Sequence, residues 1–260
     1  MHIEHFKQGW PNWVELMTSD DAAAMAFYSG LFGWRDVATE IPGGGTYHTA
    51  HLGDDAIAGV GVQNPDEAAR GIPPHWNIYL AADDAEATAA KVGAAGGQVI
   101  VPTMDVMGLG RMAIIADPTG GIAGLWQGQL MQGFARHSEP GSVTWCELIT
   151  DEPARAAEFL RSILGVQTSE MPMGDGAPYI MFGPDNEHMA GIMQKTPDMG
   201  QMPNTWGVYF EVADADATVA ETQRLGGAVL VGPTDIMPGR FAMLADPQGA
   251  VFGIITSNPM

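Results

Sequence analysis

From Trp13 the side chains alternate: Trp13, Glu15 and Met17 fall on one side of an extended chain, Val14 and Leu16 on the other. A period of two predicts a strand with two unlike faces. The period then changes. Ser19 and Asp20 offer helix-capping side chains, and Ala24, Phe27, Tyr28 and Leu31 recur at helical spacing until Gly33 stops the run. Short strands follow over 35–41, 46–52 and 56–62, parted by a P-G-G-G turn at Pro42 and a G-D-D turn at Gly53. The order βαβββ recurs from Trp76, with a strand over 77–81, a helix over 84–95 and strands over 98–102, 111–116 and 122–127.

The whole pattern then returns. W-V-E-L-M-T-S-D-D from Trp13 reappears as W-C-E-L-I-T-D-E-P from Trp145, and N-I-Y-L from Asn77 as G-V-Y-F from Gly207. G-R-M-A-I-I-A-D-P-T-G from Gly110 reappears as G-R-F-A-M-L-A-D-P-Q-G from Gly239. Repeats in one order at a nearly constant offset mean two homologous halves, each a control for the other. The predicted fold is α+β: four βαβββ modules beginning near residues 12, 75, 144 and 205. Segments 65–74, 132–141 and 196–204 read as linkers. Two modules side by side should form a concave mixed sheet with helices outside, and a ligand would sit in the concavity. The aliphatic faces of the first strands, Val14/Leu16, Ile78/Leu80, Cys146/Leu148 and Val208/Phe210, must pack on the helices. The opposite faces give the pocket candidates: Trp13, Glu15, Asn77 and Tyr79 in one half, Trp145, Glu147, Tyr209 and Glu211 in the other. Whether modules pair in chain order or swap between halves is open at this level.

Composition narrows the function classes. The 260 residues are 46% hydrophobic, enough for a core in each of two domains. The net charge is −20, from 31 acids against 11 bases. Such a surface repels phosphate backbones and anionic lipid, so the expected partner is a small molecule, with no nucleic acid and no membrane. The acidity suits either a cationic ligand or plain solubility. The lone cysteine, Cys146, excludes an intramolecular disulfide and a cysteine-based zinc site. Residues 1–12 lack an apolar leader, and no apolar run approaches the roughly 20 residues of a spanning helix. A soluble, cytoplasmic monomer or homodimer is expected.

F-Y-S-G-L-F-G-W from Phe27, A-G-G-Q-V from Ala95 and D-P-x-G before each last strand resemble module marks of the vicinal oxygen chelate superfamily of glyoxalases, bleomycin-resistance proteins and extradiol dioxygenases. P-N-W-V-E-L from Pro11, D-P-T-G from Asp117, G-L-W-Q from Gly124 and G-R-F-A from Gly239 are similar to actinobacterial tandem glyoxalase-like proteins, a group that includes a mycobacterial culture-filtrate antigen. The resemblance spans the chain. It implies two tandem glyoxalase-like domains, residues 1–131 and 142–260, joined by a linker over 132–141. Fold alone does not fix the reaction. Metal-dependent members use His, Glu or Gln early in the first strand and near the end of the last strand of each module. Those positions fall on Trp13, Asn77, Trp145 and Gly207, and near Val60, Gly124, Ile192 and Gly253, none of them a good ligand. No histidine recurs either: His48, His51 and His75 stand opposite Ile180, Gly183 and Thr205. The expectation is no metal and no cofactor.

Glu15 and Glu147 are then the foremost catalytic candidates, since a carboxylate beside an indole in a dry cleft can act as a general acid or base. Their alternative role is structural, bonded to backbone or to Arg111 or Arg240. Tyr79 and Tyr209 could stabilise an enolate oxygen, or be satisfied core phenols. Arg111 and Arg240 could take a ligand carboxylate at the pocket rim, or pair with a neighbouring acid. Trp13, Trp145 and Trp126 offer aromatic walls for a flat ligand, with Asn77 and Glu211 as polar contacts. The methionines, Met104, Met107 and Met237 among them, read as adaptable core filling. The favoured function is metal-independent proton transfer of lyase or isomerase type on a small organic metabolite. The rival is a non-catalytic binding or sequestering protein. A metal lyase or dioxygenase with relocated ligands such as Glu15, His51 or Glu211 ranks last.

Overall fold

The structure is a computed structural model that describes all residues except 42–43, 175, 184–187 and 259–260. Pro42 and Gly43 of the expected P-G-G-G turn lie outside the described residues. The first half runs β1 (Pro11–Thr18), α1 (Asp21–Phe32), β2 (Arg35–Glu40), β3 (Thr46–Leu52), β4 (Asp55–Val62), α2 (Pro65–Ala69), β5 (His75–Ala81), α3 (Ala85–Val92), β6 (Gln98–Val106), β7 (Gly110–Ala116) and β8 (Ile122–Gly128). The second half runs β9 (Val143–Thr150), α4 (Pro153–Leu164), β10 (Thr168–Met171), β11 (Tyr179–Phe182), β12 (Ala190–Gln194), β13 (Thr205–Glu211), α5 (Ala215–Arg224), β14 (Ala228–Ile236), β15 (Gly239–Ala245) and β16 (Val251–Ser257). Asp20, Asp84 and Asp214 cap α1, α3 and α5 by accepting the amides of Ala23, Ala87 and Ala217. Gly33 and Gly165 close α1 and α4 in the left-handed region, at φ 73° and 68°.

Modules pair in chain order. Each half is one eight-stranded mixed sheet, ordered β2-β3-β4-β1-β5-β8-β7-β6 and β10-β11-β12-β9-β13-β16-β15-β14. At each centre the two first strands run antiparallel, β1 with β5 and β9 with β13, and each lies parallel to the last strand of its own module. Val14, Leu16, Ile78, Leu80, Cys146, Leu148, Val208 and Phe210 are all fully buried on the helix-bearing side. Burying one such side chain is worth about 1.5–3 kcal/mol, so a slip of one residue, which would expose the whole set, is strongly disfavoured.

The helices lie outside each concave sheet but inside the molecule. α1 packs against α5 and α3 against α4, and β5 approaches β13, so the convex sides of the two sheets face each other. Phe32, Trp34 and Trp76 of the first half meet Phe210 of the second at ring-centroid distances of 5.1, 5.5 and 5.3 Å. The contacts are reciprocal. A Cβ on Gly97 would lie 2.5 Å from Phe159 Cε2, and one on the equivalent Gly227 would lie 3.1 Å from Phe27 Cε2. Separate cores for the two halves were expected; one continuous core spans both. The 132–141 segment is part of it, with Phe134 fully buried and Asn12 Nδ2 donating to Gln132 O at 3.3 Å. Among the described residues no helix is long and apolar enough to cross a membrane.

Candidate functional site

Strand register decides what meets in each concavity. Glu15 stands opposite Gly59 on β4 and Asn77 on β5, while Tyr79 stands opposite Trp13 and Gly124. The second half reproduces this: Glu147 opposite Gly191 and Gly207, Tyr209 opposite Trp145 and Gly253. Tyr79 donates its hydroxyl to Glu15 Oε2 at 2.9 Å. The phenol of Tyr47, arriving from β3, lies near enough to lower the Glu15 carboxyl, and Trp13 Nε1 donates to the Tyr47 hydroxyl at 3.3 Å.

In the second half Tyr179 donates to Glu147 Oε1 at 2.7 Å and Tyr209 to Oε2 at 3.0 Å, with Trp145 Nε1 donating to Tyr179 at 2.7 Å. Each sheet thus sets one carboxylate beside two phenols with an indole behind them; Glu147 accepts from both phenols, Glu15 from Tyr79. Sequence reasoning missed Tyr47 and Tyr179. They share the offset of Glu15 and Glu147, and the two units absorb four of the five tyrosines in the chain.

Glycines make room for the phenols. A Cβ on Gly59 would sit 1.9 Å from the Tyr47 hydroxyl oxygen, and one on Gly124 would sit 2.0 Å from Tyr79 Cδ1. The counterparts are 2.2 Å for Gly191 against the Tyr179 hydroxyl and 2.2 Å for Gly253 against Tyr209 Cδ1. Any residue with a Cβ there would expel the tyrosine. Sequence alignment placed the last-strand positions near Val60 and Ile192. Both are fully buried on the helix side, and the residues facing the concavity are Gly59 and Gly191.

Burial raises the Glu15 carboxyl above its ordinary range, opposed by the Tyr79 hydrogen bond and then by the nearby Tyr47 phenol. Glu147 is raised by burial in the same way, against Tyr179 and Tyr209. Burial first, and then the neighbouring carboxylate, push Tyr47, Tyr79 and Tyr209 well above 10, so these phenols stay protonated donors. Tyr179 shifts upward for the same reasons.

The other candidates divide. Trp126 faces the concavity beside Tyr79, its ring edge-on at 6.5 Å, with its N–H donated to Met131 O at 2.9 Å. Asn77 faces Glu15 across the strands. Glu211 shares the face of Tyr209, but Ser257 occupies its carboxylate through N at 2.9 Å and Oγ at 2.7 Å. Arg111 and Arg240 do not enter the clefts. Each is the second residue of its strand, out of phase by one with the cleft-facing positions, and turns toward a helix. Arg111 pairs with Glu86 at 2.9 Å, and Arg240 with Asp216 at 2.6 Å and Asp235 at 2.8 Å. Neither arginine braces a cleft glutamate. The core reading of Met104, Met107 and Met237 is also corrected, since all three are largely exposed. Met112 and Ile114 in one half, and Phe241 and Met243 in the other, share the cleft face with Gly124 and Gly253 and give each concavity an apolar wall.

The chemistry of the donors does not suit a metal. Glu15 and Glu147 are the carboxylates at the strand centres, both held by phenols, and the strand positions beside them are glycine, asparagine and tyrosine. Among the described residues no three His, Cys, Asp or Glu side chains converge on a point that could hold a metal ion. His48 turns away from the cleft and bonds Asp36 at 2.8 Å and Asp21 at 3.4 Å.

Comparison with known proteins places this geometry. The chain is 43% identical to a proposed glyoxylase, CFP32, of Mycobacterium tuberculosis, over 98% of this chain and 97% of that protein. It is 37% identical to the anthracycline biosynthesis protein DnrV of Streptomyces peucetius, over 97% of this chain and 95% of that protein. Among solved structures, the 2,3-dioxygenase LapB from Pseudomonas sp. KL28 shares the fold at a TM-score of 0.69 and 14% identity, over 98% of this chain and 94% of that one. A Mn(II)-bound glyoxalase from Novosphingobium aromaticivorans does so at 0.68 and 17%, over 96% and 82%. A family model matches residues 10–123 and again 142–254, and on that match the chain belongs to the glyoxalase/bleomycin resistance protein/dioxygenase superfamily.

Proposed function

We propose that each concave sheet binds a small organic metabolite against its glutamate–tyrosine unit and transfers a proton without a metal, in chemistry of lyase or isomerase type. The observation that supports this best is the unit itself, built twice with the same residue types. A carboxylate raised by burial is a stronger base than one in water. It can take a proton from carbon beside a carbonyl, leaving the electron pair as an enolate. A protonated carboxyl no longer needs two phenol donors, so the same step frees a tyrosine hydroxyl to donate to the enolate oxygen. Return of the proton at another carbon completes an isomerisation, and departure of a leaving group completes an elimination. Apolar walls suit an uncharged, flat body, which agrees with relatives named for anthracycline biosynthesis.

The test is hydrogen exchange. A panel of dicarbonyl and aromatic ketone metabolites in D2O, followed by proton NMR, should yield a compound whose acidic C–H is exchanged by the protein and not by the Glu15→Gln/Glu147→Gln double variant. A second reading, a sequestering protein, is favoured by one detail: both Glu147 oxygens already accept a phenol. Compounds that raise the melting temperature without any exchange above the solvent rate would decide for it.

A further inference from the structure

The cleft-facing side chains of the four central strands differ between the halves in what they leave free to donate. On β9 and β13 each such donor is taken: Trp145 Nε1 by Tyr179 at 2.7 Å, the Tyr209 hydroxyl by Glu147 at 3.0 Å, and Thr205 Oγ1 by the Trp206 carbonyl at 3.3 Å. On β1 and β5, Trp13 Nε1 serves Tyr47 at 3.3 Å and the Tyr79 hydroxyl serves Glu15 at 2.9 Å. His75 Nδ1 donates to the Pro73 carbonyl at 2.9 Å, since a carbonyl only accepts. Asn77 is the exception. Among the described residues its side chain makes no hydrogen bond, and it is only partly buried.

Register fixes where that amide lies. Asn77 alternates with Trp76 and Ile78, which are buried on the helix side, and stands directly across from Glu15. Opposed positions in an antiparallel pair hold their Cβ atoms about 4.5–5.5 Å apart. A ligand lying across β1 and β5 can therefore present a C–H to the carboxylate and a carbonyl oxygen to the amide. Opposite Glu147 the same position is Gly207, which has no side chain to offer. Packing does not force that glycine, because a Cβ there would meet only Glu147 O, at 3.9 Å.

We propose that Asn77 makes the two clefts unequal: its amide binds the carbonyl oxygen of a ligand in the first cleft, and the second cleft has no counterpart. This rests on the ligand binding proposed above for both clefts. Tyr79 and Tyr209 do not serve a resting ligand in this way, since each is committed to a carboxylate until that carboxylate is protonated. One uncharged hydrogen bond exchanged for water is worth roughly threefold to tenfold in affinity. By that factor the first cleft prefers a flat ketone over the hydrocarbon of the same outline more strongly than the second does.

The probe is α-tetralone, with tetralin as its oxygen-free control. Both are titrated into the intact isotope-labelled chain, and the backbone amides of Gly124 and Gly253 report the two clefts separately by NMR. Asn77→Leu keeps the outline and removes the amide, so it should cost the first cleft roughly threefold to tenfold in affinity for α-tetralone and leave tetralin unchanged. Gly207→Asn should raise the ketone preference of the second cleft by a similar factor, and it decides alone if Asn77→Leu does not fold. Binding at both glycines with a ketone preference that neither variant moves, or with tetralin affected as much as α-tetralone, overturns this inference alone. No response at either glycine to either compound overturns it together with the binding beneath it. Proton exchange is not read, so a failure of the proton-transfer chemistry leaves the test standing.

Discussion

The Tyr28 hydroxyl, from the first half, donates to Asp246 Oδ2 of the second at 3.1 Å, and Trp76 Nε1 donates to the same hydroxyl at 3.2 Å. All three side chains are buried, and burial raises the Asp246 carboxyl above its ordinary range. The opposite end of the interface lacks this bond. Leu160 stands where Tyr28 would, and the equivalent Asp117 keeps a buried Oδ2 with no hydrogen-bond partner among the described residues. Tyr28→Phe should leave an indole N–H and a carboxyl oxygen unpaired, at a cost of about 1–3 kcal/mol in urea denaturation. Because one core spans both halves, unfolding should remain a single transition. A variant as stable as the parent would show that the bond contributes nothing.

Gly124→Ala and Gly253→Ala should each displace a cleft tyrosine. The added Cβ falls 2.0 Å from the Tyr79 ring and 2.2 Å from the Tyr209 ring, where no flexible chain end can give way. Overpacking of this kind costs about 1–3 kcal/mol, and the tyrosine bond to glutamate is lost with it. Gly207→Ala is the control, with its nearest neighbour 3.9 Å away. Melting temperatures that fall in the first two variants and hold in the third confirm the assignment; equal losses in all three refute it.

These glycines show what the sequence could and could not carry. Alternation along β1, β5, β9 and β13 put Glu15, Glu147, Tyr79 and Tyr209 on the face opposite the aliphatics, because only one register buries Val14 and Leu16. Alternation on β3 is blurred by His48, Thr49 and Ala50, so Tyr47 carried no local mark, although its offset from Tyr179 did. Arg111 and Arg240 depend on where a strand begins. One residue there reverses a side chain, so alternation alone leaves the rim reading open beside the pairing with a neighbouring acid. It is the acid pairing that both arginines make, on the helix side. Val60 and Ile192 missed for the same reason. Contacts such as Tyr28 to Asp246 or Phe27 to Gly227 join distant parts of the chain, and no local period announces them.

Replacing both cleft glutamates should change how stability depends on pH. Glu15 and Glu147 are raised by burial above the ordinary 4.5, so in the window between that value and the raised one the folded chain holds more protons than the unfolded chain. Their contribution is therefore complete below the ordinary value and is lost as pH rises through the raised one. Glutamine does not titrate. Relative to the parent, Glu15→Gln/Glu147→Gln should gain a few degrees in melting temperature between pH 4 and pH 8. A difference between the two proteins that is the same at both pH values would mean that neither carboxyl is raised.

His137 acts in the opposite sense. It is buried against Phe134, with ring centroids 6.2 Å apart and planes 17° apart. Burial, and then the nearby N-terminal ammonium, lower it from 6.5 to about 4. Between those values the unfolded chain binds a proton that the folded chain refuses, so stability should fall as pH drops from 6.5 toward 4 and change no further on this account below it. At about 1.4 kcal/mol per tenfold change in proton affinity, the full loss is on the order of 3 kcal/mol. His137→Gln keeps a polar side chain of similar reach beside Ser138, whose Oγ lies 2.9 Å from the ring Nδ1, but cannot titrate. Urea midpoints of the parent should fall steadily from pH 7 to pH 4, while those of the variant should fall less over the same range. Parallel curves would place the acid sensitivity elsewhere, in surface pairs such as Asp55 with Arg136, whose carboxylate the arginine holds below its ordinary range.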